Sequence, residues 1–163
     1  MAKKLNGDTQ VSDGSVSHKE MIDLLNEDLA REYQAIIAYV VYSQVIKGAS
    51  YMTIAAELEK HAGEELEHAI KLARQIDFLG GVPNLVPKPV RISNKSEELL
   101  RFDLDNEVAT IENYRQRIRQ AEAAGEFALS ETLRVIILQE QDHAIALSEA
   151  LGIDVPLSPS TKP

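Results

Sequence analysis

The chain of 163 residues contains no cysteine and no tryptophan, and only 5% of its residues are aromatic. The absence of cysteine excludes disulfides, thiolate metal ligands, iron–sulfur clusters and thiol catalysis. No apolar run approaches the roughly 18 residues that span a membrane, and the polar N-terminus holds no apolar signal core. We therefore expect a cytoplasmic protein with an aliphatic core and no membrane partner.

Positive charge is also scarce, because 17 Lys and Arg residues stand against 26 Asp and Glu residues, for a net charge of −9. Non-specific nucleic-acid binding depends on Lys and Arg that neutralise phosphates, so we do not expect DNA as a partner. The same balance disfavours a protective shell that coats DNA. An acidic protein instead attracts cations.

Four long segments carry apolar residues at helical spacing. The first begins with a capping box, Ser17 with Glu20, and ends near Lys47-Gly48. The others run over about 50–79, 97–124 and 126–151, and each ends at a glycine. We predict three parts: a flexible N-terminal arm (1–16), a helical bundle (17–152) and a Pro-rich C-terminal tail (153–163).

The connections predict how the four helices are arranged. Short turns join the first helix to the second and the third to the fourth, so each pair must be antiparallel. The segment 80–95 holds three prolines and, fully extended, reaches about 50 Å, whereas each helix is about 40 Å long. It can therefore return along the bundle. This predicts an all-α four-helix bundle with one long crossover, from helix 2 to helix 3, and no long fifth helix.

Two Glu-x-x-His stretches, Glu65 to His68 and Glu140 to His143, place a carboxylate and an imidazole on one helical face. They lie 75 residues apart, and shifting the whole chain by 75 gives an internal repeat without gaps. The matched pairs are Leu24/Leu99, Leu25/Leu100, Asp28/Asp103, Leu29/Leu104, Glu32/Glu107, Ile36/Ile111, Tyr39/Tyr114, Leu58/Leu133, Glu65/Glu140, His68/His143, Ala69/Ala144 and Leu72/Leu147.

The repeat brings four glutamates to one level of the bundle, on or beside its apolar stripes. Carboxylates at core positions are costly unless they are paired or bind a cation. Together with the two histidines they predict a dinuclear metal site, and hard oxygen ligands with two imidazoles suit Fe(II) or Mn(II). The predicted metal ligands are Glu32, Glu65, His68, Glu107, Glu140 and His143.

Other polar residues admit plainer interpretations. Tyr39 and Tyr114 fit ordinary core tyrosines as well as residues near the metals. We expect His61 to be partly exposed, with an accessory metal ligand as the alternative. A solvated face, or else an iron-attracting surface, explains Glu57, Glu59, Glu64 and Glu67. Exposed positions or subunit contacts are expected for Arg115, Arg117, Arg119 and Arg134.

With these motifs, the chain over about 20–151 resembles the ferritin-like di-iron carboxylate superfamily, and bacterioferritins most of all. The stretches Leu29–Tyr39, Asp103–Glu107 and Phe78–Asn84 carry the likeness together with the two Glu-x-x-His stretches. The resemblance implies two iron ions per subunit, with manganese as an alternative. Under it Glu65 and Glu140 bridge the ions, Glu32 and His68 complete one, and Glu107 and His143 complete the other. Tyr39 matches a tyrosine implicated in electron supply.

Two features depart from bacterioferritins. Leu66 stands where those proteins have a haem-binding Met, so we do not expect haem at that position. The 24-subunit cages carry a short fifth helix, whereas this chain ends in a Pro-rich tail. The resemblance therefore favours a homo-oligomer of 12 subunits, of the kind seen in Dps-like proteins, over 24, with smaller assemblies still open.

The resemblance implies a ferroxidase that oxidises Fe(II) with O₂ or H₂O₂ at this site, with Tyr39 and the six ligands as catalytic residues, and that stores or detoxifies iron in an oligomeric cage. The alternative is a non-storage di-iron or di-manganese peroxidase or catalase, similar to rubrerythrin or manganese catalase. Because cysteine is absent, any electron donor for that chemistry must be a separate protein.

Overall fold

The computed structural model describes residues 16–156, which form four long helices and, within that range, no strand. The helices are α1 (His18–Val45), α2 (Met52–Phe78), α3 (Ser96–Ala123) and α4 (Phe127–Leu151), and a 3₁₀ turn (Ala49–Tyr51) leads into α2. The all-α prediction is confirmed. Residues 1–15 of the predicted arm and 157–163 of the predicted tail lie outside the described residues.

The helix ends follow from local capping, and the predicted ends agree with the observed ones to about two residues. Ser17 Oγ accepts a hydrogen bond from the Glu20 amide at 3.2 Å, and the Glu20 carboxylate accepts one from the Ser17 amide at 2.8 Å. At the C-terminal end of the bundle, Gly152 terminates α4 with φ +66°. Glycine adopts this left-handed conformation without steric strain because it has no Cβ atom. In the described part of the chain, no helix has the length and apolar character needed to cross a membrane.

The segment between α2 and α3 runs beside α1 from its beginning to its end. Hydrogen bonds along this path join Asn26 to Val82, Ala30 to Lys88, Gln34 to Pro89, Tyr42 to Arg91 and Lys47 to Ser96. The segment therefore carries the chain back to the end of the bundle at which α2 begins. As a result α3 is parallel to α2, and the predicted long crossover is confirmed.

Within the bundle, α1 packs mainly on α2 and α3 mainly on α4, while α1 also contacts α3 and α2 contacts α4. Two buried apolar clusters fill its interior, one toward each end. Fully buried leucines such as Leu25 and Leu72 in one cluster and Leu58 and Leu100 in the other each contribute about 1.5–3 kcal/mol to folding. A layer of buried charged side chains lies between the two clusters.

Candidate metal centre

The charged layer contains all six residues predicted as ligands, and each is at most 3% exposed. Every helix contributes to the layer. On α2 and α4 the Glu-x-x-His spacing places both the glutamate and the histidine on the inward face, while α1 and α3 each present one glutamate. The members are Glu32 on α1, Glu65 and His68 on α2, Glu107 on α3, and Glu140 and His143 on α4.

Three of these side chains surround His68 and form with it what we call the first half-site: Glu32, Glu65, His68 and Glu140. The Nδ1 atom of His68 lies 3.0 Å from Glu65 Oε2, 3.3 Å from Glu140 Oε1 and 3.4 Å from Glu32 Oε2. One potential ligand atom from each residue falls within 4.8 Å of those of the others. This spacing fits one cation held by three carboxylates and one imidazole.

The second half-site, Glu65, Glu107, Glu140 and His143, has the same arrangement around His143. Its Nδ1 lies 2.9 Å from Glu65 Oε1, 3.4 Å from Glu140 Oε2 and 3.9 Å from Glu107 Oε1. Its ligand atoms also lie within 4.8 Å of one another. Glu65 and Glu140 belong to both half-sites, so the geometry offers two adjacent cation positions that share two carboxylates.

Two buried tyrosines cross between the halves of the repeat. The Tyr39 hydroxyl, from α1, donates to Glu107 on α3, and the Tyr114 hydroxyl, from α3, donates to Glu32 on α1. Both rings are core residues with satisfied hydroxyls, and both also contact the predicted ligands. The two interpretations left open by the sequence therefore hold together.

Several ligand atoms in this layer are buried and make no hydrogen bond of normal geometry, although the imidazole nitrogens and carboxylate oxygens face one another at 2.9–3.9 Å. They are Glu32 Oε2, Glu65 Oε1, both carboxylate oxygens of Glu140, and Nδ1 of His143. A buried polar atom without a partner costs about 1–3 kcal/mol, and an unpaired charge costs more. Divalent cations would satisfy all of these atoms at once, and carboxylate with imidazole is a donor set that suits iron or manganese.

Electrostatic crowding in the layer shifts the acidity of its carboxyl groups. Burial and the carboxyls of Glu140 and Glu32 raise the pKa of Glu65 well above its usual range, and burial with Glu140 and Glu65 does the same to the pKa of Glu107. Burial also disfavours the charged form of Glu140, but the imidazoles of His143 and His68 outweigh it and lower its pKa to about 2.

The two ligand histidines are shifted in the opposite sense by the carboxylates around them. Burial opposes their protonation, yet Glu140 and Glu107 raise the pKa of His143 to about 9, and Glu140 with Glu32 raises the pKa of His68. Imidazole must lose its proton before its nitrogen can bind a metal. Metal binding at neutral pH must therefore displace protons from this layer.

Three residues behind the histidines complete the site, and two of them differ from the sequence-based expectation. The sequence predicts a partly exposed His61, but the residue is buried, and its ring stacks on that of His143 with centroids 4.0 Å apart. The sequence predicts that Glu64 lies on a solvated face, but its Oε2 accepts a hydrogen bond from His143 Nε2 at 2.9 Å. Gln139 Oε1 accepts from His68 Nε2 at 3.0 Å. Desolvation, with nearby His143 and Lys60, lowers the pKa of His61 to about 3.

A signal for these residues was present in the repeat. His61 and Glu64 are equivalent to Ile136 and Gln139, and none of the four positions directly before Glu65 matches its equivalent in the repeat. The sequence placed His61 on the same helical face as the motif. It could not show that α4 lies close enough to cover that face.

Arg117 is a further correction, because it is buried and does not lie on the surface. Its Nε lies 2.7 Å from Asp28 Oδ2 in a buried ion pair one turn of α1 away from Glu32. The equivalent acid in the second half of the repeat, Asp103, is also buried, and its Oδ2 has no hydrogen-bond partner.

A narrow cleft between α1 and α3 reaches the four glutamates from outside the bundle. Its cavity volume is about 10 Å³, close to the space for one water molecule. The residues at its mouth are Arg31, Gln34, Ala35, Asn106 and Thr110. Leu66 points away from the layer and is 51% exposed on α2.

A comparison with known proteins found related sequences. The sequence model of the ferritin-like domain family matches residues 22–153. A bacterial ferritin of Paramagnetospirillum magnetotacticum is 30% identical over 138 residues, which cover 83% of this chain and 84% of that protein.

Solved structures give the same picture. A ferritin-like, diiron-carboxylate protein from Bacillus anthracis strain Ames superposes with a TM-score of 0.79 at 34% identity, over 82% of this chain and 96% of that one. A dodecameric thioferritin, the bacterioferritin-related protein from Bacteroides fragilis, superposes with a TM-score of 0.78 at 28% identity, over 85% and 88% of the two chains.

Proposed function

We propose, from the premise that this chain belongs to the ferritin-like domain family, that it is a ferroxidase that oxidises Fe(II) to Fe(III) between its four helices. The observation that carries the proposal is the buried layer of four glutamates and two histidines, which forms two half-sites with two shared carboxylates. Diiron-carboxylate proteins are among the similar solved structures.

In this proposal the chain holds two Fe(II) ions per subunit as substrate, with manganese as the alternative metal. Glu65 and Glu140 lie between the two positions and would bridge the ions. Glu32 and His68 would complete the first position, and Glu107 and His143 the second. Leu66 offers no thioether, so we do not expect α2 to bind haem at that position.

The electron balance requires both positions. Each Fe(II) gives up one electron, and two electrons reduce H₂O₂ to two hydroxide ions, or O₂ to H₂O₂ after uptake of two protons. Four carboxylates balance the charge of two divalent ions, and they stabilise the additional charge of Fe(III). The protons displaced from the histidines by metal binding would leave the same layer. The cleft beside Asn106 and Thr110, which has space for about one water molecule, is the opening that we propose for them.

The central test measures Fe(II) oxidation after addition of O₂ or H₂O₂. We expect the double variant Glu65→Ala/Glu140→Ala to lose site-dependent oxidation, because both half-sites lose their shared ligands. Glu67→Ala/Asp142→Ala is a matched control, since it removes two acids from repeat-equivalent, exposed positions of the same helices. Wild-type rates in the first variant would refute the assignment.

We also propose that the subunits assemble into a 12-subunit cage that stores the oxidised iron. The support is the bacterioferritin-related relative from Bacteroides fragilis, which is described as dodecameric. Mass and metal content of the native particle, measured together, test this. Many irons per subunit in a particle of twelve agree with storage. About two metals per subunit in a small oligomer would instead favour a peroxidase or catalase.

A further inference from the structure

The two half-sites are equivalent in their ligands but not in the hydrogen bonds behind their histidines. Glu64 accepts from Nε2 of His143 at 2.9 Å, and Gln139 accepts from Nε2 of His68 at 3.0 Å. Glu64 and Gln139 occupy equivalent positions of the repeat. The same structural position is therefore an anion behind one half-site and a neutral amide behind the other.

Both hydrogen bonds orient the imidazole ring in the same way. Each acceptor oxygen holds the proton on Nε2 and leaves Nδ1 directed at Glu65 and Glu140. In both half-sites the ring is thereby fixed in the tautomer that can bind a cation through Nδ1. The difference between the two is one of charge.

A carboxylate acceptor increases the electron-donating power of the imidazole more than an amide does, because the hydrogen bond is assisted by its charge. Glu64 is only partly exposed, with 25% of its side-chain surface accessible, so water screens its charge incompletely. Lys60 lies 3.9 Å from the other oxygen of Glu64, but its side chain is 64% exposed and offsets little of that charge.

We propose that Glu64 is a positioning residue that makes the second half-site the tighter of the two, so that divalent iron fills it before the first. The inference rests on the proposed ferroxidase site, since it concerns the order in which that site takes its substrate. Replacement of a hydrogen-bond partner behind a metal-binding histidine typically changes metal affinity by about 10- to 100-fold. The expected gap between the two dissociation constants is of this size.

His61, Glu64 and His143 also lie close enough to hold a metal ion themselves. His143 cannot serve that third position and the second half-site together while its Nε2 carries the proton donated to Glu64. Without it, only two ligands remain. The cluster is therefore better explained as support for His143, with the His61 ring packed against the His143 ring at 4.0 Å.

The test titrates metal-free protein with Co(II), a divalent probe that O₂ does not oxidise readily, and follows its visible absorption bands. Wild-type protein should show two binding steps. The tight step should survive in His68→Ala and disappear in His143→Ala, which assigns it to the second half-site.

Glu64→Gln should make the two Co(II) dissociation constants more nearly equal, because both histidines then donate to an amide. The exchange variant Glu64→Gln/Gln139→Glu should restore the gap with the opposite assignment, so that the tight step now depends on His68. Glu67→Gln, which removes the same charge from an exposed position of α2, should leave the wild-type gap unchanged. A merely structural role for Glu64 would not reverse the order.

Three results would overturn the inference while leaving a dinuclear site in place. The first is equal Co(II) dissociation constants for the two half-sites of wild-type protein, and the second is a difference between them that persists in Glu64→Gln. The third is binding of a third Co(II) per subunit that depends on His61 and Glu64. Absence of Co(II) binding from wild-type protein would overturn the proposed function as well.

Discussion

At the scale of single residues, Asp28 and Asp103 show how the repeat has diverged beside the metal layer. Asp28 pairs with Arg117 at 2.7 Å. The residue equivalent to Arg117 is Tyr42, whose hydroxyl donates to the Arg91 carbonyl, so Asp103 receives no such cation. Burial raises the pKa of Asp103 well above its usual range, and Arg91 offsets this only in part. Asp103 is therefore a buried acid that favours its neutral form.

We predict that Asp103→Asn makes the metal-free protein more stable relative to wild type as pH rises. A raised folded pKa means that the contribution of Asp103 to stability is complete below the unfolded pKa of about 4 and is lost as pH rises through the folded value. Asparagine cannot ionise and avoids that loss. Urea unfolding between pH 4 and 8 measures the difference, with Asp77→Asn as an exposed control. If the free energy of unfolding changed with pH in the same way for wild type and Asp103→Asn, the prediction would be contradicted.

A second residue-scale prediction concerns Tyr39, which the resemblance to bacterioferritins marks as an electron donor. Reduction of O₂ beyond H₂O₂ takes more electrons than two Fe(II) ions supply, and Tyr39 can give one of them to that oxidant while its hydroxyl proton passes to Glu107, to which it is hydrogen-bonded. We expect Tyr39→Phe to slow O₂-driven Fe(II) oxidation several-fold and to remove a tyrosyl radical signal from electron paramagnetic resonance spectra. Tyr114→Phe is the control, because it breaks the equivalent bond to Glu32. A radical retained in Tyr39→Phe would assign electron supply elsewhere.

The six residues of the buried layer could be predicted from sequence because they break an apolar pattern and form three pairs whose members lie 75 residues apart. Glu64 and Arg117 could not, since both lie among other charged residues at positions that an isolated helix would expose. Whether such a side chain is buried depends on how closely the neighbouring helix covers it. That distance depends on how the helices pack. The sequence does not reveal it for Glu64 and Arg117, because neither residue matches its equivalent in the repeat.

At the scale of elements, the helices could be predicted because their ends carry strong local signals. Ser17 with Glu20 begins α1, and Gly152 ends α4, and both signals act within one turn. The crossover followed from length alone, as a Pro-containing segment long enough to return along the bundle. Its contacts with α1 could not be predicted, because backbone carbonyls such as those of Val82 and Pro89 carry no mark in the sequence.

At two glycines, Gly81 and Gly63, we predict that substitution by alanine changes the free energy of unfolding in opposite directions. A Cβ on Gly81, where the crossover leaves α2, would lie 2.5 Å from Ile22 and 3.1 Å from Ile76, whereas a Cβ on Gly63 within α2 meets nothing within 4 Å. We expect Gly81→Ala to lower the free energy of unfolding by about 1–3 kcal/mol through overpacking. Gly63→Ala should raise it by about 0.5–1 kcal/mol, because alanine restricts the unfolded chain.

Urea unfolding of both variants under identical conditions measures this pair. The comparison is internally controlled, since both substitutions are Gly→Ala and each adds one methyl group. A neutral or stabilising Gly81→Ala would mean that the junction of α2 and the crossover is looser than its contacts with Ile22 and Ile76 indicate.

At the scale of the whole molecule, the charged layer couples metal binding to stability. Four carboxylates at the centre of the bundle repel one another, and a cation that binds the folded state alone stabilises it in proportion to its occupancy. We predict that Co(II) or Mn(II) at a hundred times its dissociation constant raises the free energy of unfolding by about 2.7 kcal/mol per site. Thermal unfolding with and without the ion measures this as a rise in the melting temperature.

The variants described above separate this effect from general ion binding. Glu65→Ala/Glu140→Ala should lose the metal-dependent rise, and Glu67→Ala/Asp142→Ala should keep it. An equal rise in both would place the stabilising ions on the acidic surface, which carries the net charge of −9, and not in the interior.

The division of ligands between the two helical hairpins has a consequence for how this architecture can arise. The hairpin α1–α2 supplies Glu32, Glu65 and His68, and the hairpin α3–α4 supplies the equivalent three. Two copies of one hairpin, related by a two-fold axis, would present the same six ligands. A half-length ancestor that paired with itself is sufficient to make such a centre, and the crossover is the link that joins two copies into one gene product. Once joined, the copies could mutate separately, and Glu64 opposite Gln139 is a difference that a symmetric ancestor could not have possessed.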